Sequence, residues 1–273
     1  FGFSVSIDGD HAVVGAHRDG NTVGSAYVFV NNHNGSWSQQ DKLTAENPGG
    51  NIKFGYSVSI DGDHILVGAN GDNVYGDYSG SAYIFVNDGN GSWSQQTRLN
   101  PNDGDFLDQF GTSVSIDGDH AMVGMWGDDD NGNQSGSAYI FVKNDNGSWS
   151  QQDKLTAEDA SEGDEFGISV SISGDYAVVG AHYDEPDWAD YHDNFGSAYI
   201  FINDGNGNWS QHVKLTGDFG EEADYFGRSV SIDGGHAIMG AFGENVTGSA
   251  YLCNLTGTDT DDDGEIDDCD LDD

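Results

Sequence analysis

Carboxylates crowd the segment from residue 259 to residue 270, with a spacing that suits a hard cation. Counted from Asp259, the carboxylates at relative positions 1, 3, 5, 9 and 12, with Gly264 at position 6, follow the spacing of a calcium loop. A short chain with this spacing can curl around one ion, because the glycine supplies the sharp bend. Calcium is favoured over magnesium, since the loop offers many flexible oxygens, and zinc is disfavoured because no histidine is near. The alternative is a disordered acidic tail.

The same twelve residues resemble a thrombospondin type-3 repeat, including a cysteine directly before the last aspartate. The resemblance implies a bound Ca²⁺ whose ligands are Asp259, Asp261, Asp263, Asp267, Asp270 and the main-chain carbonyl of Glu265. Such repeats usually occur in series, so we expect the natural chain to continue beyond Asp273. We also predict a disulfide between Cys253 and Cys269, the two cysteines of the chain. The alternative is that each cysteine pairs with a residue outside this segment.

Five copies of one sequence unit precede this loop, and they begin with Phe-Gly at residues 1, 54, 110, 166 and 226. One residue after each Phe-Gly comes Ser-Val-Ser-Ile, then a glycine turn, an apolar run ending in glycine, and Gly-Ser-Ala-Tyr. The first four copies close with Trp-Ser-Gln. A fixed interval of roughly 55 residues indicates one repeated supersecondary unit, so the fold is an array.

Each copy contains four runs with strand character. In the first copy, residues 3–7 alternate in size, residues 11–15 are apolar on both sides, residues 24–30 are rich in β-formers, and residues 37–43 are mostly polar. Four antiparallel strands whose polarity increases from first to last describe a propeller blade. The sequence therefore predicts an all-β fold, a five-bladed β-propeller of four-stranded antiparallel blades over residues 1–256. The calcium loop would occupy residues 257–273.

The Phe-Gly openings and the Val-Gly-Ala endings at residues 14–16, 67–69 and 179–181 resemble FG-GAP repeats. These repeats form the blades of integrin α-subunit propellers and of many bacterial surface proteins, so the resemblance implies an extracellular or cell-surface location. In the integrin form, the loop between the first two strands of some blades holds calcium. Here that loop is a turn such as residues 8–10, which is too short to surround the ion. The integrin calcium sites are therefore not expected.

The composition is strongly acidic, with 48 acidic and 8 basic side chains and a formal charge of −40. Nucleic acid is excluded as a partner, because binding to phosphates needs clustered lysine and arginine. Cations or cationic surfaces are the natural counterpart, and the alternative is that the charge only keeps the protein soluble in salty water. No apolar run reaches the length of a membrane span. Because the sequence begins inside a repeat motif, we expect a processed or partial chain.

Strand alternation places the loops between strands 2 and 3, and those between consecutive blades, on one face of the propeller. These loops are long, variable and acidic, and function usually resides on variable loops of a rigid scaffold. The candidate binding residues on this face are Trp126, Asp128, Asp130, Tyr183, Asp184, Trp188 and Tyr191. Their aromatic rings would stack on sugar rings or fill a partner's pocket. The alternative is that they cap the ends of the blades.

Glycosylation sequons occur at Asn34, Asn90, Asn133, Asn146, Asn208, Asn245 and Asn254. Four of them lie in the turn between strands 3 and 4, where the backbone already favours asparagine and glycine. Those sequons are therefore either glycosylation sites or products of the turn geometry.

We find no nucleophile elbow, zinc signature or phosphate loop. We therefore expect a non-enzymatic extracellular binding or adhesion module, or a subunit of a cell-surface assembly, stabilised by calcium and recognising protein or carbohydrate. One alternative is the structural subunit of an extracellular filament that self-assembles by strand addition, because the fifth copy lacks its Trp-Ser-Gln strand. The other is a carbohydrate-active enzyme, a lyase or hydrolase, which would need a cleft with two facing carboxylates or a cation among them.

Overall fold

The computed structural model describes residues 1–20, 23–46, 48, 50–185, 194–217, 224–243 and 248–255. Within these ranges the chain forms 19 strands in five antiparallel sheets, and the strand order in every sheet follows the chain order. None of the described residues is helical, and so none belongs to a helix capable of crossing a membrane. The prediction of an all-β, five-bladed propeller is confirmed.

The strands have the following bounds. Blade 1 contains β1 (Val5–Asp8), β2 (His11–Ala16), β3 (Ser25–Asn31) and β4 (Trp37–Leu43). Blade 2 contains β5 (Val58–Asp61), β6 (His64–Ala69), β7 (Ser81–Asn87) and β8 (Trp93–Leu99). Blade 3 contains β9 (Val114–Asp117), β10 (His120–Met125), β11 (Ser137–Lys143) and β12 (Trp149–Leu155). Blade 4 contains β13 (Ser169–Ser173), β14 (Tyr176–Ala181), β15 (Ser197–Asn203) and β16 (Trp209–Thr216). Blade 5 contains β17 (Phe226–Asp233), β18 (His236–Ala241) and β19 (Ser249–Asn254).

Local sequence accounts for the shape of each blade. The first hairpin pairs Asp8 with His11, so its loop has two residues, and Gly9 adopts a φ of +50° that a side chain would disfavour. The third and fourth strands of blades 1 to 4 share a register shift at the same place, between Val28 and Phe29 in the first copy. A bulge of this kind increases the local twist, so the outer strand is turned relative to the inner ones.

The hydrophobic core consists of four clusters, and each cluster joins two consecutive blades. Between blades 1 and 2, for example, Val13 and Val28 pack with Val58 and Ile65. Equivalent clusters join blades 2 and 3, blades 3 and 4, and blades 4 and 5. A blade is covered on both faces only when it has a neighbour on each side, so the stability of this fold comes from the blade interfaces.

The phenylalanine of each internal Phe-Gly is fully buried at such an interface. The Phe54 ring contacts Tyr83 and Phe85 of its own blade, with ring centroids 5.5 and 5.8 Å apart, and its main chain pairs with Gly24 of the preceding blade. The backbones of the two blades are so close here that a Cβ on Gly15 would lie 2.2 Å from the Gly55 carbonyl oxygen. The glycines of the repeat are therefore required where two backbones meet.

The recurring histidine and tryptophan fasten the outer part of each interface. Trp93 Nε1 donates to Gln40 Oε1 of the preceding blade at 3.0 Å, and its ring meets His11 edge-on with centroids 5.8 Å apart. The same arrangement recurs for Trp149 and Trp209 in the next two blades. These residues therefore have a structural role at the blade junctions.

Candidate functional site

One face of the propeller carries all the long connections, as the sequence predicts. The segments between second and third strands are residues 17–24, 70–80, 126–136, 182–196 and 242–248, and those between blades are residues 44–57, 100–113, 156–168 and 217–225. The two sets meet in the main chain, since Phe54 N donates to Val23 O at 2.9 Å. We call this side the loop face. The opposite face has only short turns.

Two predicted binding residues, Asp128 and Asp184, are buried in ion pairs within their blades. Asp128 Oδ2 lies 2.7 Å from Lys154 Nζ, and Asp184 Oδ2 lies 2.7 Å from Lys214 Nζ. Blades 1 and 2 have the same ion pair, in which an aspartate between the second and third strands meets a basic residue of the fourth strand. The pairs are Asp19 with Lys42 and Asp72 with Arg98. Because the pair recurs at one position in four blades, we assign these carboxylates to blade stability.

Lys154 is the centre of the largest of these networks. Its ammonium contacts Asp103 at 2.8 Å and Asp130, a third predicted binding residue, at 2.6 Å, in addition to Asp128. Burial alone would lower the pKa of Lys154, but hydrogen bonds to the three carboxylates raise it above its ordinary value. The exposed Asp130 is thus tied to the blade, although part of its side chain faces solvent.

The predicted aromatic residue Tyr183 belongs to an aromatic cluster at the junction of blades 4 and 5. The cluster consists of His182, Tyr183, Tyr225 and Phe242. Tyr183 packs on His182 with ring centroids 3.9 Å apart, and Tyr225 stacks on Phe242 at 4.6 Å with an interplanar angle of 8°. Tyr183 and Tyr225 connect the two pairs at 5.8 Å. Phe242 is 61% exposed, so the cluster presents an apolar ring face to solvent.

Trp126, Trp188 and Tyr191 complete the predicted aromatic set. Trp126 is half-buried on the loop face and is not among the ring contacts of the cluster. Trp188 and Tyr191 lie outside the described residues.

Sequence reasoning missed His182, Tyr225 and Phe242, although a comparison among the copies contains the signal. The copies differ most at three positions of the loop face. The residue after the second strand is His17, Asn70, Trp126, His182 or Phe242. The residue before Phe-Gly is Lys53, Gln109, Glu165 or Tyr225, and the residue after it is Phe3, Tyr56, Thr112, Ile168 or Arg228. Variation confined to one face of a repeated scaffold marks that face for recognition.

The residue before each internal Phe-Gly also has an unusual backbone. Lys53, Gln109, Glu165 and Tyr225 all have φ between +54° and +56°. A side chain in this region costs on the order of 1 kcal/mol, so the surrounding structure must hold it there. The conformation projects a variable side chain at the same point of four blade junctions.

One member of the aromatic cluster, His182, lies next to a second titratable group, Glu165. His182 Nε2 is 3.8 Å from Glu165 Oε2, and both side chains are largely buried. Burial raises the pKa of Glu165 to about 7, against the opposing effect of Arg228. Burial, helped by Arg228, lowers the pKa of His182 to about 3. At neutral pH the imidazole is therefore uncharged and the carboxyl is about half protonated.

This pair can hydrogen-bond to a ligand or exchange a proton. The Nδ1 atom of His182 is buried and has no hydrogen-bond partner in the described part of the chain. The described residues contain no group of three or more His, Cys, Asp or Glu side chains suited to a metal ion. The pair alone supplies two ligating groups, which is fewer than a metal site in a protein uses.

The predicted calcium ligands, Asp259, Asp261, Asp263, Glu265, Asp267 and Asp270, lie outside the described residues, as does Cys269. The calcium loop and the disulfide therefore stay predictions. Cys253 is fully buried in the cluster between blades 4 and 5. A mass difference of two hydrogen atoms between the native and the reduced chain would establish the disulfide.

The sequons are distributed unevenly over the two faces. Asn34, Asn90, Asn146 and Asn208 are exposed in the turns between third and fourth strands, opposite the loop face. Their side chains serve the turns: Asn34 Oδ1, for example, accepts a bond from Ser36 N at 3.1 Å. Asn133 is exposed on the loop face, Asn254 is half-buried, and Asn245 lies outside the described residues. Glycans on the four turns would leave the aromatic cluster uncovered.

The family model of the FG-GAP repeat matches residues 1–29, 37–85, 93–141, 149–201 and 209–253, which is well over half of the chain. From the second match onward, each begins at the tryptophan of an outer strand and ends in the third strand of the next blade. The matched unit therefore includes a blade junction, the element on which the core depends. No curated protein matches the chain. The five-fold match and the blades that it spans show that this chain belongs to the FG-GAP repeat family.

Proposed function

We propose that this FG-GAP propeller is a non-enzymatic binding module that acts outside the cell or at its surface. The observation that carries the proposal is the aromatic cluster on the loop face. Phe242 and Tyr225 stack there with a ring face exposed, at positions where the five copies differ from one another. Exposed aromatic rings beside polar groups are typical of recognition sites.

The chemistry of the cluster restricts the ligand. A formal charge of −40 repels polyanions, so we expect a neutral or cationic ligand. The stacked rings suit the apolar face of a sugar, and the neighbouring Glu165 and His182 offer hydrogen-bonding groups to hydroxyls. A glycan of neutral or amino sugars satisfies these requirements, and so does a protein surface with apolar and basic side chains.

The experiment compares alanine variants in binding to a glycan array and to intact cells. We expect Tyr183→Ala, Tyr225→Ala and Phe242→Ala each to weaken binding by about 10-fold, because a buried aromatic contact contributes roughly 1 kcal/mol or more. Phe106→Ala is the matched control, since Phe106 is 55% exposed on a loop of the same face but lies outside the cluster. Equal binding by the wild type and the three variants would reject the site.

We propose in addition that calcium stabilises the protein through the acidic loop of residues 257–273. Eight carboxylates within the twelve residues 259–270 repel one another, and a divalent ion would neutralise part of that charge. Calcium would make the acidic loop more ordered and would leave the blades unchanged.

A carbohydrate-active enzyme is a second candidate, and one observation favours it. Glu165 has a pKa raised to about 7 by burial and lies beside an uncharged His182, with Arg228 near enough to influence both. A carboxyl with a pKa near neutrality is suited to general acid or base catalysis. Cleavage of a glycan by the wild type, lost in Glu165→Gln with binding retained, would establish this function. Binding without turnover would support the binding module.

A further inference from the structure

Two junctions of the loop face have the same backbone arrangement. Between blades 2 and 3, Leu107 N donates to Asp77 O at 3.1 Å. Between blades 3 and 4, the residues at the same positions of the next copy make the same contact, from Gly163 N to Asn133 O at 3.0 Å. Further hydrogen bonds correspond as well: Tyr75 N to Ser79 Oγ matches Asn131 N to Ser135 Oγ, and Asp105 N to the Asp108 carboxylate matches Ser161 N to the Asp164 carboxylate. The two junctions are therefore built on one scaffold.

The side chains on this scaffold differ at four positions. The junction between blades 2 and 3 carries Val74, Tyr75, Phe106 and Leu107, where the next junction carries Asp130, Asn131, Glu162 and Gly163. The four apolar side chains are between 39% and 55% exposed. Since the polar set supports the same loops, the fold does not require apolar residues here. We call the four apolar residues the apolar patch.

The two halves of the apolar patch lie against each other. A Cβ on Gly104 would lie 2.8 Å from Tyr75 Cδ2, and a Cβ on Gly76 would lie 3.2 Å from Phe106 Cβ. Each glycine thus makes room for the aromatic residue of the other segment. Val74 and Leu107 directly adjoin these two residues in the sequence. The four side chains therefore belong to one surface of the loop face.

The backbone of Leu107 also distinguishes this surface. Leu107 has a φ of +69°, and Gly163 at the same position of the next copy has a φ of +94°. Glycine adopts this region freely, but a leucine side chain is strained there. Burial does not compensate for the strain, because Leu107 is about half exposed. A bulky residue that is kept in a strained conformation at the surface is typical of a functional site.

The apolar patch lies in a negatively charged part of the surface. Asp77 and Asp105 are exposed and flank it in the sequence. The buried Asp108 experiences the same environment: burial raises its pKa to about 6, and the charges of three neighbouring carboxylates act in the same direction. These carboxylates belong to Asp128, Asp105 and Asp129. A cationic group that approaches the patch is therefore attracted.

We propose that the apolar patch binds a protein segment in which apolar side chains are flanked by lysine or arginine. The apolar side chains of the segment cover Tyr75 and Phe106, and its basic side chains lie near Asp77 and Asp105. An apolar centre with a charged rim is a common form of protein interface. The contact also removes the exposed side chain of Leu107 from water.

Other occupants suit the apolar patch less well. Val74 and Leu107 offer neither a flat ring nor a polar group, so they do not match the face of a sugar. The surrounding carboxylates repel the anionic headgroups of a lipid surface. A second copy supplies few cations, since the chain has 8 basic residues and four of them are held by aspartates of their own blades. A basic and apolar protein segment satisfies both the apolar centre and the charged rim.

The apolar patch is separate from the aromatic cluster and does not depend on the function proposed for that cluster. The patch lies at the junction of blades 2 and 3, whereas the cluster lies at the junction of blades 4 and 5. Phe106→Ala therefore remains the control for binding to the glycan array. A loss of cell binding in Phe106→Ala would indicate that the apolar patch takes part in that binding.

The test begins with a phage-displayed library of random dodecapeptides, selected on the immobilised chain of residues 1–273. The enriched peptides should combine apolar residues with lysine or arginine and contain few acidic residues. Fluorescence anisotropy of synthetic copies of these peptides then measures their affinity in solution. The affinity should fall as the salt concentration rises, because part of the attraction comes from charge.

The main variant gives the apolar patch the side chains of the next junction, with Val74→Asp, Tyr75→Asn, Phe106→Glu and Leu107→Gly. We call it the loop swap. It should fold like the wild type, because the same scaffold carries these residues between blades 3 and 4, and urea unfolding checks this. The loop swap adds two carboxylates, so a peptide held by charge alone would bind it more tightly than the wild type. A peptide held by the apolar patch should instead bind about 10-fold more weakly, or worse.

A companion variant tests the charged rim. Asp77→Asn with Asp105→Ser again takes its residues from the next junction, and it should weaken binding and reduce the dependence on salt. Tyr225→Ala is the control, since it changes the aromatic cluster only, and it should bind the peptides like the wild type. The absence of enriched peptides, enriched peptides without basic residues, or equal binding by the wild type and the loop swap would overturn the proposal.

Two further measurements examine the other occupants. Sedimentation velocity detects association between copies, and cosedimentation with phosphatidylcholine vesicles detects binding to a membrane. Self-association or vesicle binding that the loop swap abolishes would assign the apolar patch to a second copy or to a lipid surface. Either result would overturn the proposal, whereas a monomer that does not bind vesicles supports it.

Discussion

His182 Nε2 and Glu165 Oε2 lie 3.8 Å apart, next to the stacked rings of the half-buried Tyr225 and the exposed Phe242. Burial favours the uncharged form of both groups, so it raises the pKa of the carboxyl to about 7 and lowers that of the imidazole to about 3. The imidazole is therefore uncharged at neutral pH, and the carboxyl gains its negative charge as the pH rises through about 7. Asp164, the neighbour of Glu165, has a pKa raised to about 7 by burial as well.

The first prediction concerns the pH dependence of stability at this pair. Glu165 has a folded pKa above its unfolded value, so its contribution is fully present below about pH 4.5 and is lost as the pH rises through about 7. In Glu165→Gln that loss disappears. The unfolding free energy of the variant should rise relative to the wild type between pH 5 and 8, by at most about 1.4 kcal/mol per pH unit.

The pKa shift of His182 has the opposite sign to that of Glu165, so His182 provides the control. Its folded pKa lies below its unfolded value, so its contribution is present above about pH 6.5 and is lost as the pH falls towards about 3. His182→Asn should therefore change the acidic side of the profile only. Denaturant titrations at a series of pH values measure both effects, and parallel profiles for the wild type and Glu165→Gln would contradict the first prediction.

The second prediction concerns Lys154. Lys154→Met removes the cation that neutralises the buried Asp128, and a buried charge left without its partner costs about 3 to 5 kcal/mol. Adding Asp128→Asn should restore part of this loss. Lys143→Met is the matched control, because Lys143 forms only a long pair of 3.8 Å with the exposed Asp119 and should cost less than about 1 kcal/mol. Urea unfolding that shows equal losses for the two lysine variants would refute the assignment.

The third prediction compares the same glycine position of the repeat in blade 2 and in blade 5. A Cβ on Gly68 would lie 2.1 Å from the carbonyl oxygen of Gly111 in the next blade, so Gly68→Ala should cost about 3 kcal/mol or more. A Cβ on Gly240, the same position in blade 5, would meet only the Ser229 side chain of its own blade at 2.5 Å. Because a hydroxyl can rotate, Gly240→Ala should cost less than about 1 kcal/mol.

Thermal unfolding of both variants measures the two losses. A loss of stability in Gly240→Ala equal to that in Gly68→Ala would contradict this prediction.

The fourth prediction concerns the acidic loop. Asp261→Asn with Asp263→Asn should weaken calcium binding and loosen residues 257–273, while the unfolding of the blades stays unchanged. Isothermal titration calorimetry with calcium chloride measures the affinity. Asp63→Asn with Asp145→Asn is the control, because it removes the same charge from exposed positions outside the loop. The absence of calcium uptake by the wild type would remove the basis of the calcium proposal.

Much of the fold follows from the sequence because its determinants are local and repeated. Alternating side chains, two-residue turns at glycine and a fixed interval define each blade without reference to the rest of the chain. Contacts between strands close in sequence then build the sheet, as the pairing of Asp8 with His11 illustrates. The recurring tryptophan and histidine serve the junctions at which they repeat.

The site depended on contacts that no local pattern contains. Asp128 and Asp184 look like free loop carboxylates in the sequence, yet the fourth strand brings a lysine to each and buries the pair. Tyr225 comes from the connection between blades 4 and 5 and Phe242 from a loop within blade 5, and only the packing of blade 5 on blade 4 places them beside Tyr183.

The sequence by itself determined the strands and turns that each copy forms, and the tertiary structure decided which surfaces of each copy are buried against a neighbour. Val5 and Val58 occupy the same position of the same motif, but one is 71% exposed and the other 7% exposed. Val58 packs against the side chains of blade 1, whereas Val5 has no such contact with a blade among the described residues. Burial, and with it the pKa of Glu165, is a property of the arrangement of blades, because it depends on which surface excludes the water.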